Sequence, residues 1–436
     1  MPKSFKTGDQ SLVREFNRAI LLNLLRTHSP QSRADLAATT GLNKTTVSSL
    51  VAELISAGLA REIGQAISAG GRPAVLLELN PDAGYIIGAE LGVWFIKIVL
   101  TDFRATVLWR QQIPLQPGED SETAVNQLID LAREAVEIAE QAGQKVFGMG
   151  LGMHGLVDVR SGTLLFGPNF GWRDTPVRRR LEEVFPFPIF ADNDAKASAI
   201  GEHYFGVAQH VDNFIYVIAN VGLGAGIWLG GQIYRGATGS AGEVGHTTIL
   251  PDGLLCKCGN HGCWETLVSQ QALMDRLQAA VAAGSPTCLP LRDGRLTDLT
   301  IPIIVEAAKS GDALVLQVLE ETGRYLGIGI ANLINTFNPS VVVFGGTLSQ
   351  AAEFLLPSIQ QVVAERSMPW PRAAVQILVA AHRFDSCVMG GVALVLHDML
   401  SHPRLDAPIH HRSSNRKSLP KEVRPNPNTL LKPTLP

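Results

Sequence analysis

An α/β body built of two similar halves, preceded by a winged helix-turn-helix head, is the fold class that this sequence predicts. Three observations carry the expectation: helical periodicity followed by two short extended runs near the start, strands alternating with helical segments from Tyr85 onward, and a repeat of that order from Asn213. With 436 residues, 46% of them hydrophobic and 18% charged, the chain can bury a large core and exceeds one compact domain. The expected division is a head over 11–80, a body over 81–400 and a tail over 401–436.

In the head, Val13, Phe16, Ile20, Leu21 and Leu24 recur at helical spacing over 12–25, and Thr27-His28-Ser29-Pro30 stops that helix. Ser32 caps a second helix through Leu36 and Ala37, and Gly41 supplies the turn. Asn43 caps a third helix through Val47, Leu50, Val51, Leu54 and Ile55, which ends at Gly58. Extended runs at 59–63 and 74–79 complete a wing.

On the third helix Lys44, Thr45, Thr46, Ser48 and Ser49 face away from the apolar stripe. Short or basic side chains of this kind can approach phosphates and base edges in a major groove. With Arg33, Asn43 and the Arg72 of Gly70-Gly71-Arg72-Pro73, they form a candidate interface to double-stranded DNA, the arginine being suited to a narrow minor groove. The plainer alternative is a helical protein-interaction module with a solvated face, and an ordinary hairpin loop would also use glycines.

Charge follows the same division. Residues 1–80 carry nine Lys/Arg against six Asp/Glu, 81–400 carry 21 against 32, and 401–436 carry seven against two, so a net charge of -3 hides basic ends and an acidic middle. That pattern fits a DNA-binding head on a body that polyanions avoid.

Strands are expected at 85–90, 95–101, 106–112, 146–153, 189–191, 214–219 and 340–344, with a helix at 123–142, giving two α/β halves with a cleft between them. The longest apolar stretches, 341–344 and 388–396, fall short of the roughly 18 to 20 residues that cross a bilayer. With no apolar run at the N-terminus, a cytoplasmic, nucleoid-associated protein without membrane contact is expected. The last 36 residues hold seven prolines, so the tail is expected to be disordered.

Five cysteines are too few for a disulfide framework, and three of them, Cys256, Cys258 and Cys263, cluster. With His246 they supply three thiolates and one imidazole, the set preferred for closed tetrahedral Zn²⁺, while Gly259 and Gly262 permit a tight loop. Four protein ligands leave no position open for water, which predicts a structural rather than a hydrolytic ion. Unrelated buried cysteines beside a core histidine are the alternative. Cys288 and Cys387 are read as ordinary thiols without nearby partners.

The motifs Gly242-Glu243-Val244-Gly245-His246, Cys256-Lys257-Cys258-Gly259-Asn260-His261-Gly262-Cys263-Trp264-Glu265, Asp192-Asn193-Asp194-Ala195, Gly222-Leu223-Gly224-Ala225-Gly226 and 338–346 together resemble the ROK family (repressors, open reading frames and kinases). Within it the chain resembles the xylose-repressor-like and N-acetylglucosamine-repressor-like transcription regulators, over about 11–400. The resemblance implies a two-lobed actin-like, sugar-kinase-like (ribonuclease H-like) body and a homodimeric or homotetrameric repressor that senses a monosaccharide, xylose or a similar aldose. It also implies that Asn193, Asp194, Glu243, His246 and Glu265 bind the sugar, with Asn169 joining them, and that the histidine touches zinc with one nitrogen and sugar with the other. Carboxylates and amides suit vicinal diols. Taken singly, each is more often a cap or a surface charge.

A kinase of this family needs a base, which Asp194 matches, and a phosphate-binding Gly-rich loop, which Gly222 to Gly226 match. The family's Asp-x-Gly-Gly-Thr type motif, however, reads Glu90-Leu91-Gly92-Val93-Trp94 here, without the hydroxyl and with bulky residues at a phosphate site. Catalysis is therefore not expected, the glycines being attributed to strand packing and Asp194 to sugar binding. The alternative is an ATP-dependent sugar kinase carrying a DNA-binding head.

Overall fold

The structure is a computed structural model that describes residues 10–66, 73–116, 118–293 and 295–401. The Arg72 contact and the tail beyond 401 lie outside them.

The chain opens with α1 (Gln10–His28), β1 (Gln31–Ser32), α2 (Arg33–Thr40), α3 (Lys44–Ser56), β2 (Ala60–Gln65) and β3 (Val75–Leu79). Leu21, Leu25, Leu36, Val47, Leu50, Leu54 and Leu77 are buried between the helices and an antiparallel sheet of order β1-β3-β2. The Ser32 hydroxyl accepts from the Asp35 backbone N–H while the Asp35 carboxylate accepts from that of Ser32, a reciprocal cap. Gly41 takes φ 70 in the turn, and the Asn43 side-chain oxygen accepts from Thr46 N at 2.7 Å. Periodicity did not reveal β1, because two residues are too few to show alternation.

The first lobe holds β4 (Tyr85–Leu91), β5 (Phe95–Thr101), β6 (Val107–Pro114), α4 (Ser121–Gln141), β7 (Val146–Met153), β8 (Leu156–Asp158), β9 (Thr163–Gly167), β10 (Trp172–Thr175), α5 (Val177–Glu182), β11 (Ile189–Asn193) and α6 (Asp194–Phe205). Its main sheet runs β11-β7-β4-β5-β6, an antiparallel meander extended by two parallel strands.

The second lobe holds β12 (Phe214–Ala219), β13 (Leu223–Leu229), β14 (Gln232–Ile233), α7 (Glu265–Val268), α8 (Gln270–Ala282), a short hairpin of β15 (Leu291–Arg292) and β16 (Arg295–Leu296), α9 (Ile301–Lys309), α10 (Ala313–Phe337), β17 (Val341–Gly345), α11 (Ala352–Arg366), α12 (Pro369–Ala374), β18 (Gln376–Val379) and α13 (Ser386–Ser401). The order β14-β13-β12-β17-β18 repeats the meander-plus-two-parallel pattern. The repeat expected from Asn213 is thus present, although β18 and the small β10-β9-β8 sheet were not anticipated.

Two helices join the lobes. α13 returns to pack on β4 and β7 and along α6, while α6 packs on β12 and β13 of the second lobe. α13 is apolar because almost all of it is interior: Val388, Met389, Val392, Ala393, Val395 and Leu396 are buried. The same hydrophobic cluster continues into Leu21, Leu22 and Leu25 of α1, so head and body share one core. No described helix is long and apolar enough to cross a membrane.

Candidate functional site

Parallel strands β7 and β11 end side by side, and open α/β sheets present their ligand-binding groups at such carboxyl ends. There Asn193 caps α6, its oxygen accepting from Ala195 N at 3.1 Å and Lys196 N at 3.2 Å. Its amide donates to Gly155 O at 3.1 Å and to Asp194 Oδ1 at 2.9 Å. The Asn193 side chain is thereby engaged within the protein. Ala195 N also donates to Asp194 Oδ1 at 2.9 Å, and Asp194 Oδ2 lies 3.1 Å from His154 Nδ1.

His154, which the sequence reading passed over, stands just beyond β7 at the centre of this group. Asn169 Nδ2 lies 2.9 Å from its Nε2, and Lys257 Nζ donates to Asn169 Oδ1 at 2.8 Å. Burial opposes protonation of His154, but the Asp194 hydrogen bond and the charges of Asp194, Glu265 and Glu243 outweigh it and raise the group above the usual histidine range. Glu265 opens α7, and its Oε2 accepts from Leu223 N at 2.9 Å. Burial raises half-buried Glu243 against the pull of Lys196 and His246.

The sequence-predicted residues Asn169, Asn193, Asp194, Glu243, His246 and Glu265 come from separate loops and element ends of both lobes. Hydrogen bonds join Asn193 to Asp194 directly and Asn169 to Asp194 through His154. Electrostatic interactions of Glu243 with Asp194, His154 and His246, and of Glu265 with His154, connect the others to them. A histidine directly after a parallel strand, in Gly152-Met153-His154-Gly155, is the signal that could have revealed the missing member.

Glu90, Asn220 and Cys387 line the same cleft as His154 and Asp194. Cys387 is therefore not the isolated thiol expected from the sequence. Burial first, then the charges of Glu90 and Asp194, raise it well above its ordinary value. Burial also pushes Glu90 up to about 7 against the pull of Lys97. Lys97 Nζ donates to Phe384 O at 3.0 Å and lies 3.4 Å from the centre of that ring, so the ground beside the Glu90 motif is occupied by side chains. Of the Gly-rich stretch, Gly226 faces α6, where a β-carbon would collide with Ala195 and Ala199. At Gly222 one would stand 2.8 Å from Glu265 Oε2. Packing accounts for both glycines.

His246, Cys256, Cys258 and Cys263 gather with one donor atom each, all within 4.8 Å of one another. Cys256 Sγ lies 3.6 Å from His246 Nδ1, and Cys258 Sγ lies 3.6 Å from Cys263 Sγ. Tetrahedral coordination with bonds near 2.3 Å gives donor separations of about 3.8 Å, so this set could hold a metal ion. The three cysteines are free of disulfides, and burial with the neighbouring thiols pushes Cys263 up to about 12. His246 turns Nδ1 toward the cluster, which leaves Nε2 outside it.

On α3, Lys44, Thr45, Ser48 and Ser49 are exposed and Thr46 is half-buried. Several predicted DNA contacts already have partners: Ser49 Oγ accepts from Arg14 at 2.9 Å, Arg33 pairs with Glu62 at 2.8 Å, and Asn43 is the cap. Lys44, Thr45 and Ser48 are the exposed members for which no such partner is recorded among the described residues.

A helix-turn-helix head sharing a core with a two-lobed body, whose cleft gathers carboxylates, amides and a histidine beside a Cys/His cluster that could hold a metal, defines a ligand-responsive DNA-binding regulator. The chain belongs to the ROK family, whose model matches residues 86–398, and its head matches the IclR helix-turn-helix domain over 19–64. It is 36% identical over 396 residues to a xylose repressor of Caldicellulosiruptor bescii, covering 91% of this chain and 99% of that one. The crystal structure of a ROK family transcriptional regulator, a homologue of the E. coli MLC protein, superposes with a TM-score of 0.78 at 31% identity, covering 90% of this chain and 98% of that one. A ROK family glucokinase from Streptomyces griseus, solved with glucose and AMPPNP, covers 71% of this chain and 99% of its own with a TM-score of 0.64 at 32% identity. The full-length match is to repressors, and the chain is a transcription regulator of the family rather than one of its kinases.

Proposed function

We propose that this repressor senses a monosaccharide, xylose or a similar aldose first among candidates, in the cleft between its lobes, and that the sugar lowers its affinity for double-stranded operator DNA. The observation that carries the reading is the hydrogen-bonded group of Asp194, His154 and Asn169, with Glu243 and Glu265 near enough for their charges to act on His154. Asp194, Glu243 and Glu265 offer acceptors for sugar hydroxyls, Asn169 a side-chain amide, and Asn193 holds Asp194 in place.

Zn²⁺ suits the three thiols and one imidazole, where it would be structural, bracing the loop that carries His246 and leaving the imidazole Nε2 for a sugar hydroxyl. The head over 11–80 would read DNA through Lys44, Thr45, Thr46 and Ser48 with Arg33, Asn43, Ser49 and Arg72 beside them. A homodimer or homotetramer in the cytoplasm, at the nucleoid, would present paired recognition helices to a palindromic operator.

Helix α6 offers the coupling. Its first residue is Asp194, and its last turn holds Tyr204, whose carbonyl accepts from Arg26 of α1 at 2.7 Å while the guanidinium lies 4.7 Å over the ring. The Tyr204 hydroxyl also meets His397 of α13 at 2.9 Å. A sugar that pulls on the start of α6 thus shifts the end against which the head rests. By linkage, such a sugar binds the DNA-free arrangement more tightly.

The test is calorimetric titration with an aldose panel, together with fluorescence anisotropy on operator fragments with and without each sugar. At 100 times its dissociation constant the true effector adds roughly 2.7 kcal/mol to stability. Operator affinity indifferent to every sugar in the panel would refute the reading, and ATP-dependent turnover of sugar would return the chain to the kinases.

A further inference from the structure

Hydrogen-bond direction identifies residues that the cleft needs beyond its sugar ligands. A lysine ammonium has only donors, so Asn169 Oδ1, 2.8 Å from Lys257 Nζ, must accept. The other end of that amide must then donate, and it faces His154 Nε2 at 2.9 Å. In the neutral ring His154 Nε2 is therefore the acceptor, its proton sits on Nδ1, and Nδ1 donates to Asp194 Oδ2 at 3.1 Å, while a second proton on Nε2 would meet the Asn169 amide hydrogens. Every polar group along the line is used in one sense only, from the ammonium to the carboxylate.

The line also crosses the molecule. Lys257 lies between Cys256 and Cys258 in the metal loop of the second lobe, Asn169 lies in the turn between β9 and β10, and His154 follows β7. We propose that Lys257 and His154 are positioning residues, a hydrogen-bonded strap through Asn169 that ties the Cys/His loop to Asp194 and so sets the amide orientation that the sugar meets. With the strap in place, Asn169 offers its remaining amide N–H and Asp194 its acceptor in one arrangement. Without Lys257, Asn169 is free to reverse and turn Oδ1 toward His154 Nε2, which favours a second proton on the ring, so the sugar must select a fraction of the population. This extends the reading of the cleft as the effector site and rests on it.

Two measurements test the strap, one of them independent of sugar. In ligand-free protein with ¹⁵N-labelled histidine, the His154 ring, assigned with the His154→Gln variant, is expected as the Nδ1–H tautomer in the native chain at a pH where it is neutral. In Lys257→Met the ring is expected to keep its second proton to higher pH, and the same change on the Asn169→Ala background is expected to add nothing. An unchanged ring titration in Lys257→Met, or an equal rise on both backgrounds, overturns the proposal even if no sugar binds.

The second measurement is calorimetry with xylose on the native chain, Lys257→Met, Asn169→Ala and the double variant, each checked for equal metal content. Each single change is expected to weaken binding about tenfold, and the double change no more than Asn169→Ala alone, because Lys257 acts through Asn169. Equal xylose affinity of Lys257→Met and the native chain, or additive losses, overturns the strap. Failure of the native chain to bind xylose or any other aldose of the panel instead overturns the effector reading, and the ring titration then decides the strap alone.

Discussion

Asp194 receives Ala195 N and the Asn193 amide on one oxygen and faces His154 on the other, so its carboxylate is held before any ligand arrives. Hydrogen bonds to charged groups contribute about 1.5–3 kcal/mol, and Asp194→Asn should weaken sugar binding roughly 10- to 100-fold in calorimetry, with the circular dichroism spectrum retained. Glu90 makes a different prediction. Its Oε2 has no hydrogen-bond partner among the described residues, and its value of about 7 lies above its ordinary 4.5. Such a carboxyl keeps its proton better folded than unfolded, so it is harmless below pH 4.5 and increasingly destabilising as pH rises toward 7, by up to about 3 kcal/mol. Glu90→Gln should therefore have a small effect on denaturant unfolding at pH 5 and stabilise the protein at pH 8. The same increment at both pH values would contradict the assignment. On the DNA face, exposed Lys44 should act through phosphate: Lys44→Ala lowers operator affinity across sequences and reduces the salt slope by about one, as anisotropy titrations at several ionic strengths would read.

At the scale of elements, the metal loop and α6 explain how distant residues come together. The loop from His246 to Cys263 has little regular structure to hold it, apart from isolated bridges pairing Thr248 with Cys263 and Leu255 with His261. If its four donors hold the proposed ion, treatment with a metal chelator, or Cys263→Ser, should lower Tm by roughly 5 °C or more in a thermal melt and weaken sugar binding as well. A melt unchanged by metal removal would rule out a structural ion. Much of this element-scale picture was legible beforehand. Ser32, Gly41 and Asn43 announced the helix boundaries of the head because capping chemistry is local. The two short sheets and β18 were not legible, since strands of two to five residues show too little alternation to be told from loops.

Across the whole molecule, head and body meet where Arg26 reaches Tyr204, and one hydrophobic cluster runs through both. Arg26→Met should keep sugar affinity within about twofold of the native value while weakening the sugar's effect on operator binding, since coupling and ligand contact are separate free energies. Both are measured by the paired calorimetry and anisotropy experiments. A variant that responds to sugar like the native chain would remove α6 from the pathway.

The sequence by itself determined the head, the repeated lobes and the cluster of three thiols with one imidazole, because caps, apolar periodicity and closely spaced thiols are properties of neighbouring positions. Only the tertiary structure decided that His154 and Lys257 link the lobes, that Cys387 lines the cleft, and that Arg33 and Ser49 have partners inside the head. Those facts depend on side chains separated by up to hundreds of residues, and which donor meets which acceptor is settled when packing brings them within about 3 Å.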